Sequence, residues 1–151
     1  MLKPGQTIGI LGGGQLARML ALAAAPLGLR CHIYAPEADS PAFDVATAKT
    51  VAGYEDEAAL ARFADVVDVI TYEFENVPAH TAAFLAARRP VRPEPKALAI
   101  TQDRLSEKQF LTRLGLPLAG FWEINGLADL EAALAVSGKP AVLKTRRFGY
   151  D

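Results

Sequence analysis

The chain opens with an apolar pentapeptide, Thr7–Leu11 (TIGIL), three glycines (Gly12, Gly13 and Gly14), and a helical pattern over residues 15–27 that Gly28 closes. Nothing else in the sequence restricts the fold as much. A buried strand, a glycine turn and a helix in direct succession make the first half of a parallel β–α–β unit. The alternation then continues. Residues 30–34 read as a strand, 35–48 with two prolines as a loop, 50–51 as a short strand and 55–64 as a helix. Residues 66–71 (VVDVIT) read as another buried strand, 73–78 as a turn, 79–88 as a helix, and Val91 with Arg92 as a strand bounded by prolines. Strands alternating with helices over short connections predict an α/β fold, a doubly wound, Rossmann-like parallel sheet with right-handed crossovers.

A proline-bounded break at residues 93–96 ends this pattern, and the sequence predicts a domain boundary there: residues 1–96, then 97–151. In the second piece, residues 103–114 form an amphipathic helix with Asp103 as N-cap and Gly115 just past its end. Residues 121–124 are strand-like, 127–137 helical and 141–145 a strand. The piece is about a third of the chain and too short to bury a core of its own.

Composition narrows the class. With 51% apolar and 22% charged residues, the chain reads as a core-forming globular protein. Its 16 basic and 17 acidic residues leave a net charge of −1, which gives no electrostatic case for nucleic acid or a membrane surface. No segment approaches the ~20 apolar residues of a membrane span. Cys31 is the single cysteine, so no internal disulfide forms, and its apolar strand context predicts a buried structural thiol. A cytoplasmic enzyme or enzyme fragment is the expected class. His32 and His80 stand apart, with no partners at metal-ligand spacing.

Gly12-Gly-Gly-Gln-Leu-Ala17 fits the loose pattern G-x-G-x-x-G/A between a strand and a helix. The glycines allow a tight turn, and the helix N-terminus offers unpaired N–H groups to an anion. Glu37 and Asp39 follow the next strand, near where a ribose-binding carboxylate belongs, but they lie beyond Pro36 in the loop. A phosphate site, an NAD site and a plain turn all fit this motif.

The stretch from Val69 to Pro78 (VITYEFENVP) is more specific. An apolar strand delivers Glu73, Glu75 and Asn76 to the end of a parallel sheet, where ligands bind. Carboxylates beside a phosphate would repel it, so they suit amino or hydroxyl groups of the same ligand. If the strand continues, Glu73 and Glu75 share one side, with Tyr72, Phe74 and Asn76 on the other. The alternative makes Asn76 and one glutamate caps of the following helix.

The last eleven residues (AVLKTRRFGYD) carry Lys144 on an apolar segment that runs into Arg146, Arg147 and Gly149, the way a loop over nucleotide phosphates begins. The sequence stops where such a loop should turn back into a second strand. Alone, the chain is expected to do no chemistry.

Four segments occur in order: GGGQLARML from Gly12, TYEFENVP from Thr71, QDR with EK from Gln102, and KTRRFGYD from Lys144. Together they closely resemble the N-terminal part of the N5-carboxyaminoimidazole ribonucleotide synthases, ATP-grasp enzymes of purine biosynthesis, and the resemblance covers the whole chain. It implies a pre-ATP-grasp domain followed by the start of an ATP-grasp lobe. It also implies an enzyme that uses ATP and magnesium to activate bicarbonate and carboxylate 5-aminoimidazole ribonucleotide (AIR), as a homodimer. By the same resemblance Gly14, Gln15 and Leu16 seat the phosphate and ribose, and Glu73 or Glu75, with Asn76, holds the aminoimidazole end. Arg104 and Lys144 would contact ATP, with Gly149, Tyr150 and Asp151 opening the phosphate loop and the magnesium ligands beyond Asp151. Ala17 stands where many relatives have glycine. A formate-dependent transformylase of the same superfamily and an NAD-binding Rossmann domain are the alternatives.

Overall fold

The computed structural model describes residues 1–138 and 140–149, and the chain divides into two compact units, Met1–Leu98 and Ala99–Asp151. The first unit holds β1 (Thr7–Leu11), α1 (Gln15–Ala24), β2 (Arg30–Ala35), β3 (Ala48–Val51), α2 (Glu57–Asp65), β4 (Val69–Tyr72) and α3 (Ala79–Ala86). The helix α4 (Pro95–Thr101) carries the chain past the division. The second unit holds α5 (Arg104–Arg113) and α6 (Leu127–Ser137).

The four strands are parallel in the order β3-β2-β1-β4. Alternation along them feeds two cores. Ile10, Cys31 and Ile33 meet Ala17, Ala21 and Ala24 of α1 on one face. Leu11, Tyr34 and Ile70 meet Leu60 and Phe63 of α2 and Leu85 of α3 on the other. Helices cover both faces, so the sheet is doubly wound. Three alanines at helical spacing let α1 lie close to the sheet, and Ala17 is fully buried where a glycine was anticipated. On the opposite face Gly9 leaves room for the Phe63 ring, whose Cζ would stand 2.5 Å from a Cβ there.

Several boundaries differ from the sequence expectation, each for a local reason. The first helix stops at Ala24, because Pro26 turns residues 25–27 into a 3-10 turn before Gly28 closes it at φ +70°. The fourth strand starts at Val69 rather than at residue 66, since the Val66 N–H still caps α2 through Phe63 O. Val91 makes a single bridge to Ile70, and the flanking Pro90 and Pro93 have no N–H with which to extend a ladder. Residues 121–124 and 141–145 are not strands: among the described residues no ladder joins either segment, and a strand needs a partner to satisfy its backbone. In the second unit α5 and α6 form as expected, with Asp103 as N-cap of α5 and Gly115 at φ +72° beyond it.

Candidate ribonucleotide and nucleotide sites

The strand order reverses direction between β1 and β4, and the chain leaves both at the same end of the sheet. Ligands of open parallel sheets bind at such a switch point. After Leu11, Gly12 takes φ +103°, its N–H donating to Tyr34 O at 2.9 Å. A side chain at Gly12 would be strained, and its Cβ would also lie 2.7 Å from Glu73 Oε1. Gly14 is the N-cap of α1 and offers no side-chain cap. Glu73 instead reaches the N-cap residue's own N–H. Its Oε1 takes the Gly14 N–H at 3.0 Å, while its own N–H donates to Leu11 O at 3.1 Å.

Gly14, Gln15, Leu16 and Glu73 are thus brought together at the N-terminus of α1. Gln15 and Leu16 are exposed in the first turn of that helix. The expected alternation beyond Tyr72 fails, because the backbone leaves the extended conformation at Glu73 and turns through Glu75 and Asn76. Neither Asn76 nor a glutamate caps α3; its N-cap is Pro78, with no side-chain cap. Glu75 and Asn76 are half-buried in the turn.

The loop after β2 is fastened to the same turn. Ala42 N–H donates to Gly13 O at 3.0 Å, and Ser40 Oγ donates to Glu37 O at 2.8 Å. Glu37 and Asp39 are exposed in this loop, not at the strand end. Cys31 is buried, which pushes its thiol pKa up. His32 is buried too, hydrogen-bonded to Thr50 Oγ1 at 2.8 Å, and burial lowers its pKa. His80 pairs with Glu55 at the surface. Among the described residues no group of three His, Cys, Asp or Glu side chains could hold a metal ion.

In the second unit an open cavity of about 700 Å³ is lined by residues that include Arg104, Lys108, Trp122, Leu130, Lys144 and Arg146. Arg104 and Lys144 therefore face one space, and a Cβ on Gly149 would lie 3.9 Å from Arg104 Cδ. No ion pair joins Arg104 to Glu107, or occupies Lys144, among the described residues. Tyr150 and Asp151, expected to continue the phosphate loop, lie outside the described residues. Trp122 lines the same cavity and is 46% exposed.

Arg146 has a role that the sequence did not reveal. Its guanidinium binds the Asp103 carboxylate at 2.8 Å and Glu123 at 3.2 Å, and its carbonyl accepts the Arg104 N–H at 2.9 Å. Arg147 adds a contact to Asp103 at 3.6 Å. Burial alone would raise the Asp103 pKa. The Ser106 and Leu105 N–H groups and Arg146 outweigh it and hold the carboxyl down at about 2. One buried carboxylate thus joins the start of α5 to the segment that bears Lys144. An acid at an N-cap, with two arginines some forty residues on, was the available signal.

The chain is 52% identical to the N5-carboxyaminoimidazole ribonucleotide synthase of Brucella melitensis, over 99% of this chain and 41% of that protein. It superimposes on the Staphylococcus aureus N5-carboxyaminoimidazole synthetase complexed with ADP at a TM-score of 0.93 and 39% identity, covering 99% of this chain and 40% of that one. The Aspergillus clavatus N5-carboxyaminoimidazole synthase, in complex with ADP and 5-aminoimidazole ribonucleotide, matches at a TM-score of 0.85 and 28% identity, covering 95% of this chain and 39% of that one. The chain thus spans about two fifths of the length of these relatives. Residues 5–102 match the ribonucleotide synthetase preATP-grasp domain, and the chain belongs to that family.

Proposed function

We propose that this chain is the ribonucleotide-binding part, and the opening of the ATP-binding part, of a ligase that carboxylates AIR with bicarbonate. The products are N5-carboxyaminoimidazole ribonucleotide, ADP and phosphate, a step of de novo purine biosynthesis. Residues 1–96 serve as the pre-ATP-grasp domain and residues 97–151 begin the ATP-grasp domain. The names of the relatives and the ADP and AIR complex of the Aspergillus protein support this reading. The observation that carries it is the Glu73 carboxylate over Gly14 at the N-terminus of α1.

Glu73 is then the substrate-binding glutamate. Its Oε1 accepts the Gly14 N–H, and the carboxylate retains acceptor capacity for a ligand hydroxyl or amine. The phosphate takes the N–H groups of Gln15 and Leu16, while Gly14 with Glu73 meets the ribose. Glu75 and Asn76 line the turn beside them.

Arg104, Lys144 and Gly149 fit a polyphosphate, being two cations and a backbone without a side chain around one open space. Bound ATP supplies the phosphoryl group that activates bicarbonate. The two cations neutralise charge on its phosphates, and Asp103 with Arg146 fixes where they stand. Tyr150 and Asp151 extend the loop. Magnesium accompanies ATP in this reading, but no residue described here is assigned to it. A cytoplasmic homodimer completes the proposal.

The test uses the complete enzyme. Glu73→Gln should raise KM for AIR at least tenfold with little change in KM for ATP, and Glu75→Gln should do so far less. The reverse ranking, or equal loss for both ligands, would sink the assignment.

A further inference from the structure

Tyr54 belongs to no motif, yet it is held on several sides at the C-terminal end of the same parallel sheet. The loop that bears it follows β3. Ala52 N–H donates to Ala35 O at 3.2 Å, and Tyr34 Oη donates to Gly53 O at 2.7 Å. Thr81 Oγ1 of α3 donates to the carbonyl of Tyr54 itself at 2.8 Å. Its ring stacks on Tyr34, with centroids 6.1 Å apart and planes 28° apart. Tyr34 in turn accepts the Gly12 N–H, so the aromatic pair is built onto the glycine turn.

A half-buried ring fixed this firmly loses little freedom on binding a ligand. Its hydroxyl makes no hydrogen bond among the described residues. Burial first, then the Glu37 and Glu73 carboxylates and the Tyr34 phenol, push the Tyr54 pKa far above its ordinary value. The phenol is an O–H donor on the side of the sheet end that these carboxylates make negative.

Those neighbours define the ligand group. Two carboxylates make this side of the crevice unfavourable for phosphate. A sugar hydroxyl suits it, because it can donate to a carboxylate and still accept from a phenol. We propose that Tyr54 is a positioning residue for the substrate, its hydroxyl donating to one hydroxyl of the ribose diol beside the Glu73 carboxylate. The proposal rests on the reading of Glu73 as the substrate-binding acid.

The experiment compares Tyr54→Phe with the unaltered complete enzyme, using AIR and its 2′-deoxy and 3′-deoxy analogues, by steady-state kinetics and by direct titration of each ligand. Tyr54→Phe keeps the ring stack, and a matched thermal melt checks the fold. KM and Kd for AIR should rise about five- to tenfold, while kcat and KM for ATP stay within twofold. With one of the two deoxy analogues the difference between the enzymes should vanish. Unchanged AIR affinity, or the same penalty with AIR and both analogues, overturns the role. If the unaltered enzyme binds AIR without AIR-dependent ATP hydrolysis, the ligase reading falls, and the titrations still decide Tyr54. If it does not bind AIR at all, both fall.

Discussion

The two units are held together by different physics. In Met1–Leu98 two apolar cores lie on either side of a parallel sheet, and Glu73 follows the end of β4. In the second unit Ala133 is the single buried apolar side chain among the described residues, while Trp122, Leu127, Val136, Val142 and Leu143 stay exposed. Its centre is instead the buried carboxylate of Asp103, with two N–H groups and two arginines around it. Apolar burial fixes a whole domain, whereas a polar staple fixes one junction. The proposed ribonucleotide site belongs to the first kind of structure and the proposed nucleotide site to the second.

This contrast breaks most visibly if the two sites are not separable. Lys144→Ala in the complete enzyme should lower kcat/KM for ATP about 10³-fold and leave AIR affinity nearly unchanged. AIR-dependent ATP hydrolysis at the normal rate in that variant would remove Lys144 from the nucleotide site.

Stability should separate the units next. Phe63 packs edge-on against His32 and Tyr34, with ring centroids 5.0 and 5.3 Å away. Phe63→Ala should cost about 3–5 kcal/mol in urea unfolding of the chain, and Trp122→Ala less than about 0.5 kcal/mol. Similar losses from both would mean that the second unit relies on burial after all.

The smallest effect is one of pH. Asp103 has a folded pKa of about 2 against an ordinary 3.8, so the stability it confers is complete above the ordinary value. That stability is lost as pH falls from there through about 2. Trp122 is the chain's one tryptophan and lies in the second unit, so its fluorescence reports this loss. The signal should move between about pH 4 and pH 2. In Asp103→Asn it should be altered at pH 6 already and stay flat on acidification. An unchanged transition in the variant would assign it to another group.

Much of the first unit was legible because its determinants are local. Apolar runs, the glycine turn and Pro26 each act over a few residues, and the sheet followed from them. The strand expected from residue 66 was misjudged at its start, since Val66 and Val67 are as apolar as the strand they precede. In the second unit α5 and α6 announced themselves by caps and period. Residues 141–145 did not become a strand, because strand formation belongs to a pair of segments and not to one. At the site, Glu73 and Glu75 looked equivalent until the backbone turned between them. Tyr54 and Arg146 were illegible for a related reason: their partners stand far away in sequence, Asp103 being 43 residues from Arg146.

The strand order also determines how the sheet ends. Beyond β4 the neighbour among the described residues is Val91, and the prolines on either side of it withhold the N–H groups that an incoming strand would need. At the opposite margin β3 is four residues long and presents the charged Lys49. Short margins with proline and lysine resist edge-to-edge association. Substituting Pro90 and Lys49 by β-branched apolar residues would give this sheet two adhesive borders, and the first consequence would be aggregation during expression.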